Sequence, residues 1–212
     1  MKNVKKNAVI FDLDGTLWDA AETIAPAWNE CLRAKGLSPR FTPDDCRGFC
    51  GKTLEEIAAL IFPAAEPAWR EAVLADCCAA ECAPLARRGG TLYPGEEATL
   101  SALRETRFLA VVSNCQEGYI EAFFTGNRTG RYFDDYESAG RSGLSKAENI
   151  RLVMDRNGIE AAVYVGDTEG DRQAALRAGV PFIHAAYGYG RVSGADFVIH
   201  RMEELLEILD NP

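Results

Sequence analysis

Two groups of acidic residues have the types and the spacing that metal-assisted chemistry needs. Asp12 and Asp14 stand two residues apart directly after an apolar run, and Asp167 and Asp171 follow another. Two carboxylates at this spacing in an extended or turning backbone can face one cleft. Four carboxylates at neighbouring strand ends repel one another unless a cation neutralises them, and oxygen ligands favour magnesium, Mg²⁺, over zinc or copper. These residues therefore predict a magnesium site, although acidic residues also occur in loops that bind nothing.

The apolar runs around these residues predict the elements that must position them. Each run stops abruptly at polar residues, as buried parallel strands do, and the runs are 8–11, 108–112, 162–165, 180–183 and 197–199. Patterns typical of helices lie between most of these strands. The alternation predicts an α/β fold, a Rossmann-like parallel sheet flanked by helices, with functional loops at the carboxyl ends of the strands.

Residues 18–90 follow a different pattern. They contain helical stretches, several prolines and no convincing strand, and they end in the hinge-like sequence Arg87-Arg88-Gly89-Gly90. We therefore predict a small inserted α-helical cap domain over residues 18–90. Residues 1–17 and 91–212 are predicted to form the Rossmann-like catalytic core.

Composition limits the class of protein. The chain has 212 residues, 47% of them hydrophobic and 26% charged, which is ordinary for a globular protein. Its net charge of −9 argues against nucleic acid or an anionic membrane as partner. No run is long enough to span a membrane, and the chain start lacks the pattern of a signal peptide. We expect a cytoplasmic monomer or homodimer whose seven cysteines are reduced thiols.

Four short motifs resemble those of the haloacid dehalogenase-like hydrolase superfamily, in the same order. The motifs are Phe11-Asp12-Leu13-Asp14-Gly15-Thr16-Leu17, Ser113-Asn114, Lys146 at the start of a helix, and Gly166-Asp167-x-x-x-Asp171. One departure is Ala147, where the family often has proline after the lysine. The helical insertion resembles the cap of the phosphoglycolate phosphatase-like branch.

The resemblance implies a catalytic role for each motif. Asp12 would be the nucleophile that forms an aspartyl-phosphate, and Asp14 would be the general acid and then the general base. Ser113 and Asn114 would hold oxygen atoms of the phosphoryl group. Lys146 would neutralise charge on the nucleophile and on the phosphoryl group.

The resemblance also implies a set of metal ligands. Asp12, the backbone carbonyl of Asp14 and the Asp167 carboxylate would bind Mg²⁺. Asp171 would lie in the outer shell of the metal or bind the catalytic lysine.

Three residues of the predicted cap are candidates for substrate specificity. Arg47 and Lys52 lie on a predicted glycine-punctuated loop, 47–53, where two cations could bind a second anionic group of the substrate or simply face solvent. Trp18 stands near the predicted hinge, where it could contact substrate or pack in the core.

Several functions fit these residues. The one that we favour is a Mg²⁺-dependent phosphatase that hydrolyses a small phosphorylated metabolite through an aspartyl-phosphate. The alternatives are a phosphomutase acting on a sugar phosphate, and a non-enzymatic receiver-like module phosphorylated on Asp12. A dehalogenase fits less well, because that chemistry needs neither the metal ligand Asp167 nor the acid Asp14.

Overall fold

A computed structural model describes residues 7–210 of the chain. Within this range the strands, in chain order, are β1 (Asn7–Phe11), β2 (Trp18–Asp19), β3 (Thr91–Leu92), β4 (Phe108–Ser113), β5 (Asp135–Ser138), β6 (Ala161–Gly166), β7 (Phe182–Ala185) and β8 (Phe197–Ile199). The helices are α1 (Ala21–Ala34), α2 (Pro43–Phe49), α3 (Leu54–Ile61), α4 (Pro67–Arg88), α5 (Glu96–Arg104), α6 (Tyr119–Gly126), α7 (Ala139–Ser142), α8 (Lys146–Asn157), α9 (Glu169–Ala178) and α10 (Glu204–Asp210).

Six strands form one parallel sheet in the order β5-β4-β1-β6-β7-β8. The strand order reverses beside β1, because β4 and β5 are added on one side of it and β6, β7 and β8 on the other. The carboxyl ends of β4, β1 and β6 therefore lie side by side at one edge. Loops at such a position form the binding crevice of an open α/β sheet.

The alternation of side chains along β1 builds two apolar layers. Val9 and Phe11 face one cluster, which continues into α5, α6 and α10, whereas Ala8 and Ile10 face the other, which is closed by α8 and α9. All four residues are at most 3% exposed. A strand buried on both faces needs the continuous apolar run that the sequence shows. The predicted α/β fold with a parallel sheet flanked by helices is confirmed.

Helices α1 to α4, called the cap helices below, lie between the short strands β2 and β3. These two strands pair antiparallel where the chain leaves the sheet region and returns to it. An aromatic cluster joins α1 to α2, since the Trp28 ring lies 5.3 Å from Phe41 and 6.0 Å from Phe49. Trp28 is thereby fixed on the inner side of the cap helices.

The structure differs from the predicted elements within the cap. Residues 47–53 were expected to form a loop, but Pro43–Phe49 is helical. The cause is local, because Thr42 and Asp45 form a capping box and Pro43 occupies the first helical turn. Helix α4 runs through Pro84 and ends at Arg88.

Two other expectations can be compared with the structure. All seven cysteines are free thiols, as expected. Among the described residues, no helix combines the length and apolar character that crossing a membrane requires.

Glu96, in the first turn of α5, is a buried acid in the core. It is only 1% exposed, and burial raises the pKa of its carboxyl group to about 9. The folded state therefore keeps the acid protonated at pH values at which the unfolded chain ionises it. The contribution of this group to the free energy of unfolding is greatest below the unfolded pKa of about 4.3, where both states are protonated. It falls as pH rises toward 9, because the unfolded chain ionises first.

We expect Glu96→Gln to raise the melting temperature at pH 8 by about 2–4 °C for each kcal/mol gained, and the gain should grow between pH 5 and pH 8.5. Calorimetric melting across this pH range measures the effect. Glu105→Gln, which replaces an exposed acid after the same helix, serves as the control. A gain for Glu96→Gln that does not change with pH would contradict this explanation.

Candidate active site

The turn after β1 carries the first acidic pair into the crevice. The Asp12 amide donates to the Val165 carbonyl at 2.8 Å, which extends the pairing of β1 with β6 by one residue. The chain then turns at Gly15, whose φ of +80° is in the left-handed region. A Cβ atom at Gly15 would lie 2.4 Å from Asp167 Oδ2. Glycine is therefore required both by the turn and by the close approach of the second acidic group.

Lys146 connects the two acidic groups. Its Nζ atom donates to Asp12 Oδ1 at 2.8 Å and to Asp171 Oδ1 at 2.6 Å. The lysine is the first residue of α8, whose start is fixed by the capping box of Ser145 and Glu148. The side chains of Lys146, Asp12 and Asp171 are each at most 5% exposed, so the ion pairs are isolated from solvent.

The second acidic group is held by backbone and capping interactions. Asp167 Oδ2 accepts from the amides of Tyr189 at 2.8 Å and Gly190 at 3.3 Å. Asp171 Oδ2 accepts from the Thr168 hydroxyl at 2.6 Å and caps α9. Both oxygens of Asp171 are therefore engaged at short distance, and Asp167 Oδ1 accepts a longer hydrogen bond, of 3.5 Å, from the Thr16 hydroxyl.

The site has an excess of buried negative charge. One oxygen each of Asp12, Asp167 and Asp171 lies within 4.8 Å of the others, and Lys146 supplies one positive charge against these three carboxylates. Uncompensated buried charge costs several kcal/mol per ion. A hard divalent cation with oxygen ligands would remove this cost, so the donor set fits Mg²⁺. Asp12 and Asp167 are the favoured ligands, because Asp171 already binds Lys146 through Oδ1 and the start of α9 through Oδ2.

Burial and mutual repulsion perturb the pKa values of these groups. Burial, reinforced by the charge of Asp171, raises the pKa of Asp12 to about 7, although Lys146 opposes the rise. Burial and Asp171 likewise raise the pKa of Asp167 to about 7. Burial alone would lower the pKa of Lys146, but Asp12 and Asp171 hold it well above the ordinary value. Without a bound cation, protons therefore compete for the carboxylates near pH 7.

Asp14 is held apart from this network by two hydrogen bonds. Its Oδ1 atom accepts from the Tyr119 hydroxyl at 2.7 Å and from the Trp18 indole at 2.9 Å. Burial raises the pKa of Asp14 to about 7, while the bond from Tyr119 and the weaker effect of Trp18 lower it. An acid with this pKa can donate a proton near neutrality and accept one later.

The structure brings most of the predicted site residues to one pocket. Its core side is lined by Asp12, Asp14, Ser113, Asn114 and Lys146. Asp167 and Asp171 lie behind Asp12. The two residues of the second motif are present because β4 ends at Ser113, beside β1.

The three cap candidates lie in different environments. Trp18 is fully buried, packs 4.9 Å from the Phe123 ring and acts on Asp14 through its indole nitrogen. Arg47 is bound to Asp19 at 2.8 Å and to Asp44 at 2.6 Å.

Lys52 does line the pocket, and its ammonium donates to the Gly48 carbonyl at 3.0 Å. The neighbouring Gly51 touches the core, because its carbonyl accepts from Asn114 Nδ2 at 3.3 Å and a Cβ there would lie 2.9 Å from Thr168.

The pocket residues that were not identified from the sequence include three with polar side chains. Tyr119, Glu81 and Gln116 line the pocket, yet none belongs to a recognised motif. A signal for Glu81 did exist, since it occupies the apolar stripe of α4 formed by Leu74, Cys77, Cys78 and Leu85. No local pattern marks Tyr119, because it meets Asp14 across 105 residues of chain.

Comparison with known proteins identifies the family. The model of the haloacid dehalogenase-like hydrolases matches residues 9–185. A phosphoglycolate phosphatase of Rhodobacter capsulatus is 32% identical over 86% of this chain and 85% of its own length. One of Aquifex aeolicus is 30% identical over 96% of both chains. The solved structure of a haloacid dehalogenase-like family hydrolase from Streptococcus pneumoniae shares the fold, with a TM-score of 0.82 and 21% identity over 98% of this chain and 100% of that one.

The chain therefore belongs to the haloacid dehalogenase-like hydrolases. Within that family it is a phosphatase, a hydrolase of phosphoric monoesters.

We expect Mg²⁺ to stabilise the folded protein, because it would neutralise the excess carboxylate charge. At a concentration about 100 times its dissociation constant, the ion should raise the melting temperature by roughly 5–10 °C. Asp167→Asn should melt higher than the parent protein without Mg²⁺ and gain little from the ion. The control is Asp155→Asn, an exposed change on α8 that should keep the full shift. An undiminished Mg²⁺ shift in Asp167→Asn would show that the ion binds elsewhere.

Proposed function

We propose that the protein is a Mg²⁺-dependent phosphatase of small phosphorylated metabolites that works through an aspartyl-phosphate on Asp12. The observation that carries the proposal is the pairing of Lys146 with Asp12 beside a second carboxyl group, Asp14, that has separate hydrogen-bond partners. Phosphoglycolate is one candidate substrate, because both relatives are named phosphoglycolate phosphatases.

In the first step the nucleophile attacks phosphorus. Lys146 binds Asp12 through Oδ1, so Oδ2 would form the new bond to phosphorus while the bond from phosphorus to the leaving oxygen breaks. The proton on Asp14 passes to that leaving oxygen, and the alcohol departs. Ser113 and Asn114 would hold phosphoryl oxygens during the transfer.

In the second step Asp14 acts as a base and the phosphoryl group leaves Asp12. The Asp14 carboxylate takes a proton from a water molecule, whose oxygen attacks phosphorus. The bond between phosphorus and Asp12 breaks, which releases inorganic phosphate and restores the carboxylate. A bound Mg²⁺ supplies positive charge to the transferring phosphoryl group. Asp12, Asp167 and the backbone carbonyl of Asp14 would hold the ion, and Asp171 would orient Lys146.

We further propose that the segment 18–90 acts as a cap over a core formed by 1–17 and 91–212. The β2–β3 ribbon offers a hinge, and the contacts of Gly51 with Asn114 and Thr168 offer a closing surface. Closure would exclude bulk water from the phosphoryl group. A cytoplasmic location and a monomeric or homodimeric state stay predictions.

Replacing the acid should separate the two steps. With p-nitrophenyl phosphate, whose leaving group departs without a proton, Asp14→Asn should release about one nitrophenolate per active site and then stall. Turnover of an alkyl phosphate should fall by about 10²–10⁴. Rapid-mixing absorbance measures the burst, and peptide mass spectrometry should find the stalled phosphate on Asp12.

The control for this experiment is Asp155→Asn, which should turn over normally. Equal loss of burst and turnover in Asp14→Asn would contradict the two-step mechanism. A lasting phosphate on Asp12 in the unmodified protein would favour the receiver-like module, and transfer of that phosphate to a sugar would favour the phosphomutase.

The hydrogen bond from Tyr119 should set the upper pH limit of the reaction. This bond lowers the pKa of Asp14, so its removal in Tyr119→Phe should raise that pKa and keep the acid protonated to higher pH. The alkaline limb of kcat/KM for an alkyl phosphate should move up by roughly 0.5–1 pH unit.

Tyr136→Phe removes a comparable hydroxyl, which is bound to Glu121 at 3.0 Å, and should leave the pH profile in place. An alkaline limb that stays fixed or moves down in Tyr119→Phe would contradict the role of Asp14 as the acid.

A further inference from the structure

The pocket between the core motifs and the cap helices is small and mostly apolar on its cap side. It is a cavity of about 80 Å³. Its apolar lining comes from α1 to α3, through Ile24, Trp28, Cys46, Phe49, Leu54 and Ile57. The phosphoryl group must lie at the core side, beside Asp12. The cap side therefore receives the leaving group of the ester.

Glu81 is the acidic residue on the cap side of this cavity. It lies in the middle of α4 and is 2% exposed. Gln116 Nε2 donates to its Oε1 at 2.6 Å, and the Trp28 indole donates to its Oε2. An indole N–H can only donate, so Trp28 is suited to an acceptor at this point. The two donors fix the carboxyl group, and each oxygen keeps lone-pair capacity for a further partner.

Among the described residues, the cations near the cavity have partners other than Glu81. The cations that line it within the described residues are Lys146 and Lys52. Lys146 is shared between Asp12 and Asp171, and Lys52 donates to the Gly48 carbonyl. Arg47 is neutralised by Asp19 and Asp44.

An anionic group beside the ionised form of Glu81 would be repelled more strongly in this buried site than in water. Lys52 keeps its positive charge, because a backbone carbonyl does not neutralise an ammonium group, but its described partner is Gly48 and not Glu81. Burial raises the pKa of Glu81 to about 8, so near neutral pH the acid is ionised only where a positive or hydrogen-bond-donating partner stabilises its charge. A hydroxyl or ammonium group would instead give Glu81 the hydrogen-bond donor that it can accept.

We propose, on the basis of the phosphatase function proposed above, that the substrate is a phosphate monoester whose leaving group directs a hydroxyl or ammonium donor at Glu81. The substrate class thus differs from the phosphoglycolate named in the relatives. Glu81 is the specificity-determining residue, and Trp28 and Gln116 are its positioning residues.

Four two-carbon esters test this preference on the full chain with Mg²⁺. They share the phosphoryl group and differ at the far end: 2-aminoethyl phosphate, 2-hydroxyethyl phosphate, ethyl phosphate and 2-phosphoglycolate. We expect the amino and hydroxyl esters to exceed ethyl phosphate in kcat/KM, and the better of them to exceed 2-phosphoglycolate by roughly 10-fold or more. The order of the amino and hydroxyl esters identifies the donor.

Glu81→Gln tests whether the acid itself causes the preference. The ratio of kcat/KM for 2-aminoethyl phosphate to that for 2-phosphoglycolate should fall at least about 10-fold. Glu71→Gln, an exposed change on the same helix, should keep the parent ratio. A purely structural link between α4 and Gln116 would instead lower kcat/KM for all four esters by the same factor.

The outcomes separate this inference from the function on which it rests. Preference of the unmodified protein for 2-phosphoglycolate, or an unchanged ratio in Glu81→Gln, would overturn the substrate class while the phosphatase function stands. Absence of hydrolysis of every ester, p-nitrophenyl phosphate included, would overturn the phosphatase function and the substrate class together. The substrate series needs no variant, so it decides the question even if Glu81→Gln does not fold.

Discussion

The ammonium group of Lys146 holds together a cluster of carboxylates that would otherwise repel one another. It bridges Asp12 and Asp171 in a region closed to solvent, and Asp167 lies within reach of both. One positive charge does not balance three negative ones. The remaining negative charge would favour binding of a divalent cation, and such a cation would also reduce the repulsion between the carboxylates and an anionic phosphoryl group.

The fold serves this cluster by fixing its members on different elements. Asp12 follows β1, Asp167 follows β6, Lys146 begins α8 and Asp171 lies in the first turn of α9. Neighbouring parallel strands place the first two side by side. Capping boxes at the starts of α8 and α9 fix the other two, so the charges cannot relax away from one another. This rigidity preorganises the site and creates its electrostatic strain.

The cap side of the pocket has an apolar lining that includes one buried acid, Glu81. Within the described residues, Glu81 is hydrogen-bonded to Trp28 and Gln116, and the pocket cations Lys52 and Lys146 have other partners. The core motifs would act on the phosphoryl group that all phosphate esters share, whereas the proposed role of the acid on α4 concerns the part of the substrate that varies. Separation of these two functions allows a shared catalytic core to serve different substrates.

The sequence predicts the core better than the cap for a physical reason. Strand ends and their acidic residues are local patterns, so Asp12, Asp14 and Asp167 could be located before the fold was known. The start of α2 was also encoded locally, in Thr42 and Pro43, but the glycines that follow suggested a loop.

Contacts between distant segments could not be predicted in this way. Tyr119 reaches Asp14 across 105 residues, and Gln116 reaches Glu81 across 35. Only the tertiary arrangement shows that these groups share one pocket.

Calorimetric titration with Mg²⁺ in buffers of different ionisation enthalpy tests the central claim most directly, because it counts the protons displaced by the ion. The pKa values of Asp12 and Asp167 are both raised to about 7 in the metal-free site. Binding at pH 6.5 should therefore release about one proton or more per ion, and the release should fall toward zero by pH 8.5. Binding without proton release at pH 6.5, or no binding at all, would contradict a site organised around excess buried carboxylate charge.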